Sequence, residues 1–407
     1  MRRITPWLLA LVTLAVIAVP FALAASSSAS VPVKADRSPG QPVAVAISTV
    51  TGIAISPLLG TGAYGAYQWM SAKDEAARAA LPWFAQISFW LPALLLVGAC
   101  AAKDALGAAL PPGLKKPFDV IETLENKVSG LVAAGAVVPL SVSAMTKMVL
   151  GGGALAAAPA AGLAGSGLAV LPLGAADFSG LLSVLTVPLG LAVFLVVWLG
   201  SHAINVLILL SPWGAIDAGL KAARTALLGL VTVTATLNPW LGALLSVVVI
   251  VVAYLVAGWA FRLTVFGSVF CWDFLTGRRK NFTPAAGGNP VFAGPALVGV
   301  PVRTFGTLEK EAGGGLRFRY RPWLVLPEKH SPVAGETRQL AVGEGAFFSD
   351  IVTAEGRSLF SLPPRYRGHE AQVAGFYGFG GGVKPAGLRK AWWALKELLG
   401  TSAKQPA

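Results

Sequence analysis

Asp119 and Glu122 stand three residues apart in the stretch FDVIETLENKVSGLV, and Asp217 and Lys221 stand four apart in AIDAGLKAARTALLGLV. At those spacings each pair shares one helical face. Both stretches follow a proline, Pro112 and Pro212, in otherwise apolar surroundings. Proline removes a backbone donor and frees a carbonyl one turn earlier, and an acid beside such a break can hold a cation or a proton. Upstream, Lys103 and Asp104 end one apolar run and His202 ends another. A histidine exchanges protons near neutral pH, so these groups would serve a proton or ion relay. The alternative for all of them is interfacial, with charges at helix ends reaching into water. A second set, Arg317, Arg319 and Arg321, alternates with Phe318 and Tyr320. It would meet the acidic headgroups of lipids, or a protein partner, or else form an ordinary solvated strand face.

Other chemistry is not spelled out. The chain has three histidines, His202, His330 and His369, and contains no HExxH, GxSxG or Walker sequence. The run GFGGG at 378–382 lacks the Lys-Ser/Thr of a phosphate loop and reads as a hinge. Cys100 and Cys271 lie in apolar stretches without a CxxC. Catalysis, a cofactor, a disulfide and a metal site are therefore not expected.

The elements that position these residues must be mostly membrane helices. Apolar residues are 55% of the 407, charged residues 13%, and mean hydropathy is +0.67. A soluble domain carries roughly 25% charged residues to cover its surface. Disorder, coiled coil and disulfide scaffold are excluded by the same numbers. Apolar blocks run over about 43–70, 83–102, 129–150, 153–175, 179–211 and 226–271. At about 20 residues per crossing they predict about five to seven membrane segments, some broken by Pro and Gly or re-entrant.

Residues 1–25 read as a signal peptide, with Arg2 and Arg3 before an apolar run and Ala22-Leu23-Ala24 as the cleavage site. An uncleaved first anchor is the alternative. Residues 26–41 read as a flexible leader, 42–275 as the helical membrane domain and 276–295 as a linker. Net charge is +13, and from Thr276 onward 18 Lys and Arg face 9 acids. Arg278-Arg279-Lys280 marks a positive-inside stop, so the following domain is expected in the cytoplasm of a bacterial inner membrane. Nucleic acid is not expected as a partner, since basic and acidic residues alternate and no helix carries a basic stripe.

The last domain, 296–400, shows short strand patterns: VPVRTFGTLEK, LRFRYR, PWLVLPEK, RQLAV and SLFSL. Leu388, Trp392, Leu395 and Leu399 then line one face of a C-terminal amphipathic helix. Strands closed by such a helix predict a β-rich barrel or sandwich of pleckstrin-homology-like shape.

The membrane domain also predicts an internal repeat, over about 52–142 and 167–242. GIAISPLLG from Gly52 matches GLAVLPLG from Gly167. Pro112, Asp119, Gly130 and Pro139 recur as Pro212, Asp217, Gly229 and Pro239, about a hundred positions on. Through these landmarks, and most closely through SPWGAIDAGLKAARTAL and LNPWLG, residues 50–245 resemble the uncharacterised bacterial membrane family called domain of unknown function 4126. The resemblance implies an α-helical polytopic architecture and no activity. Two functions follow as expectations. One is a small-solute or ion transporter or channel with its site at the repeat interface. The other is a membrane scaffold or sensor whose basic domain binds anionic lipid or protein, with self-association open.

Overall fold

A computed structural model of the chain describes residues 40–107, 112–149, 178–211, 214–311, 313–333, 336–345 and 348–385. Over parts of the helices, among them 101–107, 112–119, 142–149 and 178–185, the backbone alone is described. The expected signal peptide, the Ala/Gly block 153–175, Pro212 and the C-terminal helix lie outside the described residues. Two compact units divide the chain between Ala257 and Gly258, with Leu209–Ser211 counted in the second.

The first unit is helical. Helices α1 (Gln41–Ile55) and α2 (Pro57–Ser71) are separated by extended Ser56, where Pro57 opens the second helix and cannot donate to the first. Each has 15 residues, roughly 22 Å, short of a bilayer core of about 30 Å. Asp74 caps α3 (Glu75–Ala79) by accepting the Ala77 N–H at 2.7 Å. Then come α4 (Ile87–Gly107), α5 (Pro112–Val149), α6 (Phe178–Leu210), α7 (Gly214–Leu237) and α8 (Pro239–Leu275). Asn238 sets the break between the last two: its Oδ1 accepts the Trp240 N–H at 2.9 Å, with Pro239 at the first helical position.

Three stretches are long and apolar enough to cross a membrane among the described residues: Thr186–Leu210, Ile216–Leu237 and Pro239–Leu275. Hydropathy alone predicts more. Part of the difference lies in Pro57, which cuts block 43–70 into two short helices, and in the charged first half of α5. Val50, Ile53, Phe84, Ala133, Val137, Phe194 and Val197 form the core of this unit, where α1 packs on α5 and α7. Leu244, Val248, Val251, Val252 and Leu255 of α8 are exposed instead. An outward apolar face on an apolar helix fits lipid contact.

The second unit carries one eight-stranded sheet in the order β4-β3-β2-β1-β7-β6-β5-β8. Its strands are β1 (Asn289–Ala293), β2 (Phe305–Lys310), β3 (Leu316–Tyr320), β4 (Lys329–Pro332), β5 (Ala341–Glu344), β6 (Ser349–Val352), β7 (Ser358–Leu362) and β8 (Val383–Pro385). Two antiparallel meanders, β1–β4 and β5–β7, join where Phe292 pairs with Ser361 and Ala293 with Phe360. β8 adds in parallel to β5. Helix α9 (Glu370–Tyr377) packs on the same core, and Gly378 ends it at φ 75. Thus the GFGGG run, expected to be a hinge, forms the turn from α9 into β8. Burial holds Tyr377 up to about 12, and its hydroxyl donates to the Leu308 carbonyl at 2.9 Å while accepting from Asn289. Burial also raises Tyr366, whose hydroxyl donates to the Pro290 carbonyl at 2.7 Å.

Two local readings change. PWLVLPEK is not a strand before Lys329: residues Pro322–Leu324 form a short helical turn, and Trp323 and Leu324 adopt φ of 54° and 62°. Pro322 and Pro327 bracket the stretch and neither can donate to a ladder. Conversely, β1 lies inside the stretch expected to be a linker, anchored by Asn289, whose Oδ1 accepts the Ala285 N–H at 2.9 Å.

The last turns of α8 belong to this unit. Phe266 lies 4.7 Å from Phe292 and 5.2 Å from Phe348, ring centre to ring centre. A fragment starting at residue 290 removes those contacts and opens the β1 core. It is expected to be less soluble and to melt lower than one starting at 258, as read by circular dichroism. Equal melting of the two would show that the helix adds nothing.

Candidate functional site

The first unit buries a cluster of polar side chains on three helices. On α5, Glu122, Asn126 and Ser129 recur at four and three residues and share a face. On α7, Asp217, Lys221 and Arg224 do the same. α6 supplies His202 and Asn205. Three pairs tie the helices in a ring. Lys221 Nζ donates to Glu122 Oε2 at 3.0 Å, linking α7 to α5. His202 Nδ1 lies 3.0 Å from Asn126 Oδ1, linking α6 to α5. Arg224 donates to Asn205 Oδ1, linking α7 to α6.

Burial makes this expensive. His202 is wholly enclosed, and Asn126, Asn205 and Asp217 are buried. Polar groups on apolar helices are retained where they are paired or do work. With Asn126 Oδ1 as acceptor, His202 Nδ1 carries the hydrogen and Nε2 keeps a lone pair. His202 Nε2 and Asn205 Nδ2 have no hydrogen-bond partner among the described residues. The ring therefore presents one open acceptor and one open donor beside two cations and two carboxylates.

Aromatic packing fixes the histidine. The Trp198 indole stacks on His202 at 5.1 Å between ring centres. Gly130 lets it do so: a Cβ there would lie 2.7 Å from Trp198 Cε2. Its expected repeat counterpart, Gly229, faces open space, so the two glycines do different jobs.

Of the residues singled out by sequence, Glu122, His202 and Asp217 belong to this buried set. Asp119 falls in α5, and Lys103 and Asp104 in α4, but their side chains lie outside the described residues. Asn126 and Asn205 are not among these candidates because they are uncharged; the signal is their spacing, four residues after Glu122 and three after His202.

The arginines of β3 are matched by acids. Arg317 lies 3.2 Å from Glu309 and 3.6 Å from Glu311; Arg319 lies 2.7 Å from Glu309; Arg321 lies 3.5 Å from Glu328. Neighbouring strands thus neutralise much of the expected basic face. Comparison with protein-family models, curated proteins and solved structures finds no match to this chain.

Proposed function

We propose that the protein is an integral membrane protein that passes a small cation or proton-linked solute through the polar ring between α5, α6 and α7. One observation carries this: three cross-helix polar pairs, Glu122–Lys221, His202–Asn126 and Arg224–Asn205, gather ionisable groups at one place among apolar helices. Hydroxyl and amide pairs can simply glue membrane helices together, whereas ionisable groups among them mark ion or proton paths. Two of the pairs also join the halves expected from the repeat, 52–142 and 167–242, which supports a site at the repeat interface.

His202 Nε2 is the proton-accepting atom of the proposed path; Asp217 supplies negative charge along it, while Glu122 is already held by Lys221. Full-length protein in liposomes loaded with a pH-sensitive dye is expected to dissipate an imposed proton, Na⁺ or K⁺ gradient. Asp217→Asn is expected to slow that flux about tenfold or more, which corresponds to ~1.4 kcal/mol or more in barrier. Proteoliposomes no more permeable to these ions than empty vesicles would overturn the reading.

A further inference from the structure

A cavity of about 340 Å³ opens in the second unit, away from the polar ring's helices in sequence and lined by residues of that unit alone. Its lining includes four cations, Arg262, Arg303, Arg321 and Lys329, and no Asp or Glu. They come from α8, the loop before β2, the residue after β3 and the start of β4. The Arg262 guanidinium is aimed by its Nε, which donates to the Val302 carbonyl at 2.9 Å. Glu328, 3.5 Å from Arg321, lies near the rim and is shared with Arg319 at 3.6 Å.

The backbone here is strained. Arg303, Trp323 and Leu324, at φ of 63°, 54° and 62°, are the only non-glycine residues with positive φ among the described residues, and all three line this cavity. Such conformations cost about 1–3 kcal/mol each and gather at binding sites. Beside the cations runs an exposed apolar loop, with Val325 81% exposed and Trp323, Leu324 and Leu326 each near half.

Sequence places this loop at a membrane boundary. From Pro239 to Phe261 α8 has no charged residue, a run of about 34 Å that matches a bilayer core, and Arg262 is its first charge. Trp323 packs on Phe261, the last residue of that run, at 4.7 Å between ring centres. Cations at headgroup depth, next to apolar side chains that can enter the acyl boundary, suit a molecule with a phosphate at one end and hydrocarbon at the other.

We propose that this cavity binds the phosphate headgroup of an anionic lipid, with Arg262, Arg303, Arg321 and Lys329 around the phosphate and the 323–326 loop against the chains. The volume is at the low end for ligand sites, roughly 300–1,000 Å³, which admits a headgroup and leaves the chains outside. Free phosphate offers the same charge without the hydrocarbon.

Full-length protein in detergent would be titrated with short-chain phosphatidic acid, phosphatidylglycerol and phosphatidylcholine, and separately with inorganic phosphate, with retention read by native mass spectrometry. The two anionic lipids are expected to bind about tenfold or more tighter than phosphatidylcholine, through charge-assisted hydrogen bonds. Arg303→Gly removes a cation and relieves its backbone, so melting should hold or rise while that preference falls. Lys329→Ala should act likewise, and Val325→Ser should weaken lipid binding alone. Equal binding of all three lipids, or variants that bind as wild type, would overturn the site. Inorganic phosphate displacing the lipids at matching concentration would overturn the lipid assignment in favour of a soluble phosphate.

Discussion

Asp273→Ala is expected to destabilise the second unit by about 3–5 kcal/mol, the cost of stranding one partner of a buried ion pair. The Asp273 side chain is 1% exposed and that of Arg365 13%. Oδ1 accepts from Arg365 Nη2 at 2.6 Å, Oδ2 accepts from Nε at 2.8 Å, and Oδ2 also takes the Arg365 backbone N–H at 3.3 Å. A two-pronged contact of this kind fixes the guanidinium plane as well as its position. Truncating the acid leaves a planar cation enclosed with no counter-charge. In a unit of this size the loss corresponds to roughly 10–20 °C in melting temperature, followed by near-ultraviolet circular dichroism in detergent. The double replacement Asp273→Leu with Arg365→Met removes both charges and should cost markedly less than either single change. A loss below about 1 kcal/mol for Asp273→Ala, the value of an exposed pair, would place this contact in water.

That contact shows where sequence reading stops. Asp273 and Arg365 are 92 positions apart, and neither lies in a local pattern that names the other. The same holds for the polar ring: Glu122, His202 and Asp217 stand out because charge and imidazole are rare on apolar helices, but the partners of His202 and Glu122 lie 76 and 99 positions away. What is local was legible. Arg317 to Arg321 alternate with period two, and all but Arg321 lie in β3; the Ser-Leu-Phe-Ser-Leu run does form β7. What is short and framed by Pro and Gly was not. β1 has five residues and opens on Asn-Pro directly after Gly-Gly, yet it sits at the middle of the sheet. PWLVLP has the hydropathy of a strand, and only its two prolines tell against one. The basic cavity was illegible for a related reason: its cations come from four separate segments, and three lie outside the alternating arginine run.

Phe360→Ala is the other large effect, again about 3–5 kcal/mol, because it empties the seam between the two meanders. β7 pairs with β1 on one side and β6 on the other, and Phe360 stands opposite Ala293 and Ile351. Its ring is wholly buried, 5.2 Å from that of Phe318 on β3, centre to centre. One core thus draws Leu308 and Phe318 from the first meander, Val342, Ile351 and Phe360 from the second, and Val373 and Tyr377 from α9. The backbone pairing between the meanders is short, two residue pairs at β1 and β7, so side chains must carry most of the junction. A phenylalanine lost there cannot be refilled by strands already held in register on both sides. Amide exchange read by mass spectrometry should therefore speed up together in β1–β3 and β5–β7, by a factor of roughly 10² or more. Trp323→Ala, an aromatic truncation of greater size at a half-exposed site, should leave those rates within about threefold. If Phe360→Ala loosened β5–β7 and left β1–β3 protected, the meanders would be two separately stable halves, and the shared core would not be what joins them.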